Sequence, residues 1–350
     1  YCNLFIRKDG KKMKHKKIII IALSLVLCFL FVACSGGSEG TNGTGGTNEK
    51  ITLKLNHVGA TTHPYHLGSE KFAELVSEKS NGSIEIQVFP ASQIASGAKA
   101  IEFVQMDTLD IALESTMSLS NFVPEIDVLN LPFLFKDAEE VYKVLDGEAG
   151  QKLSDKAEEY GFKILGWWYN GFRDMSNSKK PIESPSDLAG LKFRIPESEV
   201  FRGTFEALGA LPTSMPVSEV FTAIQLGTVD GQENPAANFI NNRFNEVNEY
   251  YSETHHIFTA EPLIMSVEKF NSFSAEQQQI LLDAAAEAGA YERELGIQEE
   301  KNLIEQIKTM DNVKYNKPAD MQLFRDAVNP VYEKLSESFG EYIDLIESTK

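Results

Sequence analysis

Apolar positions alternate with polar ones over residues 51–55 and again over residues 84–88. This period of two predicts strands that bury one face. A helix is predicted between them, because Phe72, Leu75 and Val76 recur at helical spacing before a glycine ends the pattern. A second helix near 98–106 leads to a predicted third strand at 110–114, which Glu114 ends. This alternation predicts parallel strands joined by crossover helices.

The second half of the chain repeats this order of elements. Helices are predicted at 138–145 and 150–160, a strand at 162–173 and a loop at 122–135. Residues 191–235 read as strand, helix, link, helix and strand, with Ser198 as a predicted cap. Helical residues near 239–250 and a short strand at 263–267 are predicted next. In open α/β sheets, ligands bind where such strands end.

One predicted helix is much longer than the others. Ser274 and Gln277 form a capping box, and a helical pattern without proline continues to about residue 310. Ordinary globular helices have roughly 8–20 residues. We expect a two-domain α/β fold that this helix bridges, with domain I at 50–171 plus 260–299 and domain II at 172–259 plus 300–350. A coiled-coil strand is the alternative for this segment.

Residues 1–33 are predicted to be a targeting segment and not part of the fold. A lysine-rich stretch precedes a largely apolar run at 18–33, which is shorter than the about 20 residues of a membrane-spanning helix. Small residues and Cys34 follow, so the segment resembles a lipoprotein signal in which Cys34 is lipidated. Residues before Met13 are interpreted as an upstream extension. A plain signal peptide or an uncleaved anchor is the alternative.

Residues 34–49 are predicted to be the lipidated cysteine and a flexible tether rich in Gly, Ser and Thr. The tether contains a G-x-S-x-G match at 36–40, but a serine-hydrolase motif needs a strand before the serine and a helix after it. No other enzyme motif is apparent. Cys34 would be the only cysteine of the processed chain, so no disulfide is expected.

The chain carries a net charge of −18, and the segment after residue 33 is more acidic still because residues 1–33 are basic. Such a charge argues against nucleic acid as a partner. It also makes arginines that end apolar runs noteworthy, and Arg173 and Arg194 both do so. A guanidinium matches a carboxylate with two parallel donors. From the residues alone, a carboxylate ligand and a structural ion pair remain equally open for both arginines.

Three short segments carry a resemblance to a known family. They are R-I-P at 194–196, M-P-V-S-E-V at 215–220 and D-G-Q-E-N-P at 230–235. At this spacing the chain, from about residue 51 to its end, resembles a DctP-type solute-binding protein of a TRAP transporter. The resemblance implies a periplasmic-binding-protein-like fold with a ligand cleft between two domains.

The resemblance also implies roles for individual residues. Arg194 is expected to clamp a ligand carboxylate, Arg173 to assist it, and Asn234 to contact the ligand. Glu114, at a predicted strand end, is expected to contact ligand hydroxyls or an arginine. Val217 stands where the family commonly has phenylalanine, which leaves the size of the ligand open.

Three further residues are expected at the pocket. Asn170 and His66 are predicted to contact ligand hydroxyls, with His66 as a neutral donor, and Trp168 to form an apolar wall. For Trp167 we expect core packing instead. His57, His63 and His66 also leave open a zinc site, although their spacing fits no zinc signature.

The resemblance implies a lipid-anchored, non-enzymatic protein on the extracytoplasmic face of the cell membrane. It would capture a small organic carboxylate, a C4-dicarboxylate or a sugar acid such as a uronate, and deliver it to the small and large membrane subunits of a TRAP permease. Capture is expected to close the cleft, with Arg194 and Arg173 on one domain and Glu114 and His66 on the other. No cofactor is expected. A ligand-sensing lipoprotein that presents its closed form to a signalling receptor is the alternative, with zinc uptake as a second.

Overall fold

The computed structural model describes residues 50–350, and one mixed β-sheet runs through this part of the chain. The strands are β1 (Ile51–His57), β2 (Ile84–Phe89), β3 (Ile111–Leu113), β4 (Phe162–Asn177), β5 (Lys192–Ile195), β6 (Leu211–Ser214), β7 (Gly231–Asn234), β8 (Tyr250–Ser266) and β9 (Lys314–Asn316). Their order across the sheet is β2-β1-β3-β8-β4-β7-β5-β6, and β9 pairs with β8. The signal segment, Cys34 and the tether lie outside the described residues.

The sheet has two parallel ends joined by two long strands. At one end β1 lies parallel to β2 and β3, and at the other β5 lies parallel to β6 and β7. The long strands β4 and β8 are antiparallel to each other and connect these ends. The predicted α/β class is therefore confirmed.

Twelve α-helices accompany the sheet in the described part of the chain. They are α1 (Pro64–Lys79), α2 (Ala98–Gln105), α3 (Thr116–Leu119), α4 (Ala138–Leu145), α5 (Glu148–Glu159), α6 (Glu199–Ala207), α7 (Val217–Gln225), α8 (Ala236–Asn241), α9 (Val267–Asn271), α10 (Ala275–Lys308), α11 (Gln322–Ala327) and α12 (Asn329–Thr349). The predicted caps are confirmed, since the Ser198 side chain accepts from Phe201 N and Ser274 forms a capping box with Gln277. No helix within residues 50–350 is both long enough and apolar enough to cross a membrane.

The long helix α10 contributes to two separate apolar clusters. Near its start, Leu281 and Ala288 pack with β1, β3 and α1. Near its end, Ile304 and Ile307 pack with α7 and α8. The predicted bridging helix is therefore confirmed, whereas the domain boundaries at 171/172, 259/260 and 299/300 stay a prediction.

The strand β8 is the largest departure from the predicted elements. The helix predicted near 239–250 ends at Asn241, and the strand predicted at 263–267 begins thirteen residues earlier, at Tyr250. Nearly every residue of β8 is buried, because both of its faces are covered. A strand covered on both faces shows no alternation that could reveal it. The predicted loop at 122–135 likewise contains a 3₁₀ helix at Pro124–Asn130, and α12 was not predicted.

Candidate functional site

A cavity of about 380 Å³ is lined by residues from both ends of the sheet and from its middle. Five of the predicted ligand residues line it: Glu114, Asn170, Arg173, Arg194 and Asn234. Small-molecule sites have volumes of roughly 300–1,000 Å³, so the cavity suits a small solute.

Arg194 contributes a buried guanidinium with no acidic partner. It lies on β5 and is 4% exposed, and its Nε and Nη2 donate to the carbonyl oxygen of Met215 at 3.0 and 2.8 Å. Among residues 50–350, no carboxylate lies within 4.0 Å of it. Burial lowers the pKa of Arg194 to about 10, so the group is still charged at neutral pH. The cavity therefore contains one fixed and uncompensated positive charge.

Arg173, in contrast, forms a buried ion pair. Its Nε and Nη2 donate to the two carboxylate oxygens of Glu233 at 2.6 and 2.9 Å, and both side chains are almost fully buried. Burial raises the pKa of Glu233, but the charge of Arg173 outweighs this effect and holds the pKa below its ordinary value. Arg173 Nη2 also donates to Asn234 Oδ1 at 3.1 Å. The ion-pair alternative thus describes Arg173, which lines the cavity with its charge neutralised.

Two buried carboxyl groups occupy the opposite side of the cavity. Glu114 directly follows β3, as predicted, and one of its oxygens accepts from Gly97 N at 3.0 Å. Glu261, on the neighbouring β8, accepts from Asn170 Nδ2 at 3.1 Å. Burial raises the pKa of Glu261 to about 8, and burial together with the charge of Glu261 raises the pKa of Glu114 well above its ordinary value. Glu261 is therefore mostly protonated at neutral pH, and the shift of Glu114 also favours its protonated form.

A β-bulge brings Asn170 and Arg173 to the same cavity. In a regular strand, residues three apart point to opposite faces. In the pairing of β4 with β8, Tyr169 lies opposite Ala260 but Gly171 lies opposite Thr259, which makes Asn170 the extra residue. Gly171 has φ +124°, a region that favours glycine. The alternation reverses at this point, and both polar side chains reach the cavity.

The helix α10 supports the bulge through Glu300. Its carboxylate accepts from Phe172 N at 3.0 Å and from the Tyr169 hydroxyl at 2.9 Å. The bond from Phe172 N satisfies a backbone donor that the bulge removes from the strand ladder. Burial raises the pKa of Glu300 to about 7. No local pattern indicates the role of Glu300, because its contact depends on how α10 packs on β4.

Comparison with known proteins identifies the family. Residues 55–338 match the bacterial extracellular solute-binding protein family 7, DctP. The chain belongs to this family. Family 7 proteins are the solute-binding components of TRAP transporters, and the protein is such a component and not an enzyme.

Individual members of family 7 resemble the chain over most of its length. The 2,3-diketo-L-gulonate-binding periplasmic protein YiaO of Escherichia coli is 32% identical over 85% of this chain and 90% of its own. A TRAP periplasmic solute-binding protein from Polaromonas sp. JS666 bound to D-erythronate is 37% identical, covers 86% of this chain and 99% of its own, and has a TM-score of 0.83. Another from Sulfurospirillum deleyianum with bound succinate is 35% identical, with coverages of 86% and 99% and a TM-score of 0.81. These similarities favour transport over the sensing alternative.

Two of the residues predicted for the family 7 site do not line the cavity. Trp168 is fully buried in the apolar cluster of β1, β3 and α1, and its ring packs against Gly68 and Gly289. We therefore correct its predicted role as a pocket wall. His66 is not among the residues that line the cavity, and its Nδ1 lies 3.3 Å from Nε2 of the buried His57.

The described residues contain no site that fits the zinc alternative. Between residues 50 and 350, no group of three His, Cys, Asp or Glu side chains is arranged to hold a metal ion. His63 instead caps α1 by accepting from Tyr65 N at 3.2 Å.

Three important residues of the site were missed by sequence reasoning. Glu233 and Glu261 lie on strands that pair with β4, and Tyr65 lies at the start of α1. Glu233 directly precedes Asn234 in the D-G-Q-E-N-P segment, which is the one signal that could have suggested it. For Glu261 and Tyr65 the sequence offers no comparable signal.

We expect Gly171→Ala to destabilise the protein and to weaken ligand binding. An added Cβ would lie 2.4 Å from Glu300 Oε2, and alanine would also be strained at φ +124°. Such strain costs about 1–3 kcal/mol, and displacement of Glu300 would release the bulge and reorient Asn170. Urea unfolding and calorimetric titration measure the two effects. Gly190→Ala is the control, because Gly190 has φ +77° with open space around it. Equal effects of the two substitutions would contradict the role of the bulge.

The unliganded protein is expected to lose stability as the pH rises from about 6.5 to 8. The raised pKa values of Glu261 and Glu300 mean that unfolding releases protons from both groups at neutral pH. Their stabilising contribution is complete below their unfolded pKa and is lost as the pH rises through the folded values. Burial lowers the pKa of His57 to about 3 and that of His63 to about 4, so both histidines act in the opposite direction, but only below about pH 6.5.

The size of this decline follows from the pKa values. It should be about 2 kcal/mol, because one pKa unit corresponds to about 1.4 kcal/mol. Unfolding titrations between pH 6 and 9 would measure it. Glu261→Gln should make the free energy of unfolding depend less on pH. A wild-type stability that rises with pH over this window would contradict the raised pKa values of Glu261 and Glu300.

Proposed function

We propose that the cavity captures a small organic acid through Arg194 and that the protein delivers this acid to the membrane subunits of a TRAP permease. The observation that carries the proposal is the guanidinium of Arg194, which is buried, fixed by the Met215 carbonyl and without an acidic partner in the described chain. A carboxylate would supply the missing charge and accept two parallel hydrogen bonds. The 2,3-diketo-L-gulonate, D-erythronate and succinate named for relatives are all anions of organic acids.

Closure of the cavity would couple capture to delivery. Glu114 follows β3 at one end of the sheet, whereas Arg194 and Asn234 lie on β5 and β7 at the other. A ligand that contacts both ends stabilises the closed arrangement and shifts the population toward it. The predicted domains I and II would be the bodies that move. The closed form would then dock on the small and large permease subunits.

A lipid on Cys34 would hold the protein at the extracytoplasmic face of the cell membrane. This part of the proposal rests on the sequence around Cys34 alone. Cys34→Ser should release the protein from the membrane fraction and abolish its labelling by a radioactive fatty acid. A soluble wild-type protein without label would contradict the anchor.

The test of solute capture is a thermal-shift screen followed by calorimetric titration. The panel comprises C4-dicarboxylates, aldonates, uronates, oxo acids, neutral sugars and zinc. We expect at least one organic acid to raise the melting temperature, and neutral sugars and zinc to have no effect. Stabilisation by zinc or neutral sugars, with no response to any acid, would overturn the proposal.

Closure has its own measurement. Both tryptophans of the chain, Trp167 and Trp168, lie on β4 beside the bulge, so their fluorescence reports on the junction of the two ends. A saturating ligand should change this emission and reduce the radius of gyration in small-angle scattering. Binding that alters neither quantity would contradict closure.

A further inference from the structure

We propose that the ligand carries a single carboxylate and several hydroxyl groups, and that Glu114 and Glu261 exclude a second carboxylate. The inference rests on the proposed capture of an organic acid and narrows its chemical class. Three observations carry it: the count of buried charges, their arrangement across the sheet and the polar atoms left without partners.

The buried charges that line the cavity leave one positive charge for an anionic group of the ligand to compensate. Arg173 is neutralised by Glu233, with Nε 2.6 Å from a carboxylate oxygen. Lys99 lies on an exposed surface and pairs with Glu102 at 2.6 Å. Arg194 therefore supplies the one buried cation, among the described lining residues, that has no acidic partner. A buried charge is stable only when it is compensated, and one ligand carboxylate would compensate this one.

The sheet order separates the arginine from the acids. Arg194 lies on β5, while Glu261 lies on β8 and Glu114 follows β3, with β4 and β7 between them. A ligand that places a carboxylate on Arg194 extends its remaining atoms toward the two carboxyl groups. A second carboxylate there would be buried beside two acids without any counter-charge, and desolvation of such an unpaired charge costs several kcal/mol.

The polar atoms on the acidic side need hydroxyl partners. One oxygen of Glu114 and the side-chain oxygen of Asn170 are buried and have no hydrogen-bond partner within the described chain. Both residues line the cavity and are more than nine-tenths buried. Unsatisfied buried groups of this kind are costly. A hydroxyl both donates and accepts, whereas a carboxylate only accepts and cannot satisfy an amide oxygen.

The protonation state of the acids strengthens this assignment. Burial raises the pKa values of both Glu114 and Glu261, which favours protonated carboxyl groups that can donate as well as accept a hydrogen bond. Two such groups match neighbouring hydroxyls on a carbon chain. Aldonates and uronates combine these hydroxyls with one carboxylate, whereas succinate has none.

The test uses the full protein and four acids of equal carbon number in calorimetric titrations at pH 7. D-erythronate has one carboxylate and hydroxyls, meso-tartrate has two carboxylates and hydroxyls, succinate has two carboxylates only, and butyrate has one carboxylate only. A second series of D-gluconate, D-glucarate, adipate and hexanoate covers longer ligands. In at least one series we expect the hydroxylated monoacid to bind about 100-fold more tightly than each of its three analogues.

Substitution of one acid tests where the selectivity arises. Glu114→Gln should reduce the preference for the hydroxylated monoacid over the hydroxylated diacid by about tenfold. Glu85→Gln is the control, since it removes one negative charge from a partly exposed position on β2, where Glu85 pairs with Lys50. It should leave the preference unchanged. An equal effect of both variants would assign the selectivity to overall charge and overturn the role of Glu114.

The outcomes separate this inference from the proposed function. Diacids that bind as tightly as the hydroxylated monoacids would overturn the exclusion of a second carboxylate. Butyrate or hexanoate binding equally tightly would overturn the need for hydroxyls. If another organic acid from the wider panel binds and no acid of either series does, the inference is overturned and the proposed function stays in place. Binding of no acid at all would remove both.

Discussion

Arg194→Ala is expected to weaken binding of the organic acid by roughly 100- to 1,000-fold. Removal of one partner from a buried, hydrogen-bonded charge pair costs 2–5 kcal/mol or more. The cost arises because the ligand carboxylate would then be buried without a counter-charge. Calorimetric titration with the acid found in the panel measures the loss. The unfolding free energy should change little, since within residues 50–350 the guanidinium hydrogen-bonds only to the Met215 carbonyl.

Two further variants make this result specific. Arg194→Lys keeps the charge but loses the planar guanidinium and its parallel donors, so an intermediate affinity is expected. Arg202→Ala removes a positive charge from the partly exposed Arg202, which lies on α6 and pairs with Glu199 at 3.7 Å. This control should bind as the wild type does. An Arg194→Ala variant with wild-type affinity would end the proposed role of Arg194.

Glu233→Ala is expected to lower the free energy of unfolding by about 3–5 kcal/mol. The substitution would leave Arg173, which is 1% exposed, as a buried charge without its partner. Breaking a buried ion pair in this way is far more costly than the pair's net contribution to stability. Urea unfolding, monitored by fluorescence and by circular dichroism, measures the change.

The chain offers a matched control for this prediction. Arg243 and Glu246 form the same two-bond pair, with both distances 2.7 Å, on the protein surface. Exposed pairs contribute about 0–1 kcal/mol, so Glu246→Ala should change stability by no more than that. Similar losses for the two variants would show that the Arg173–Glu233 pair is not desolvated as described.

The sequence predicted those parts of the site that local patterns encode. Arg194 ends an apolar strand within a short motif, Glu114 ends another, and the capping box marks the start of α10. Each of these signals lies within a few neighbouring residues. The position of Asn234 beside the cavity followed in the same way from the segment around it.

The residues that were missed depend on register and packing. Glu261 meets Asn170 only because β8 and β4 pair in one register, and the bulge at Asn170 decides which side chains reach the cavity. Trp168 was assigned to the pocket because aromatic residues suit pocket walls, yet its place in the strand points it into the core. A one-residue shift changes the face of every later side chain, and no local pattern reports it.

The helix α10 has a consequence for how the molecule melts. Because its two ends are anchored in different apolar clusters, loss of either cluster removes the support of the helix for the other. The ends of the sheet should therefore denature as one cooperative unit, with a calorimetric enthalpy equal to the van't Hoff enthalpy. A solute that engages only the cavity would then protect backbone amides against hydrogen exchange as far away as the edge strands β2 and β6.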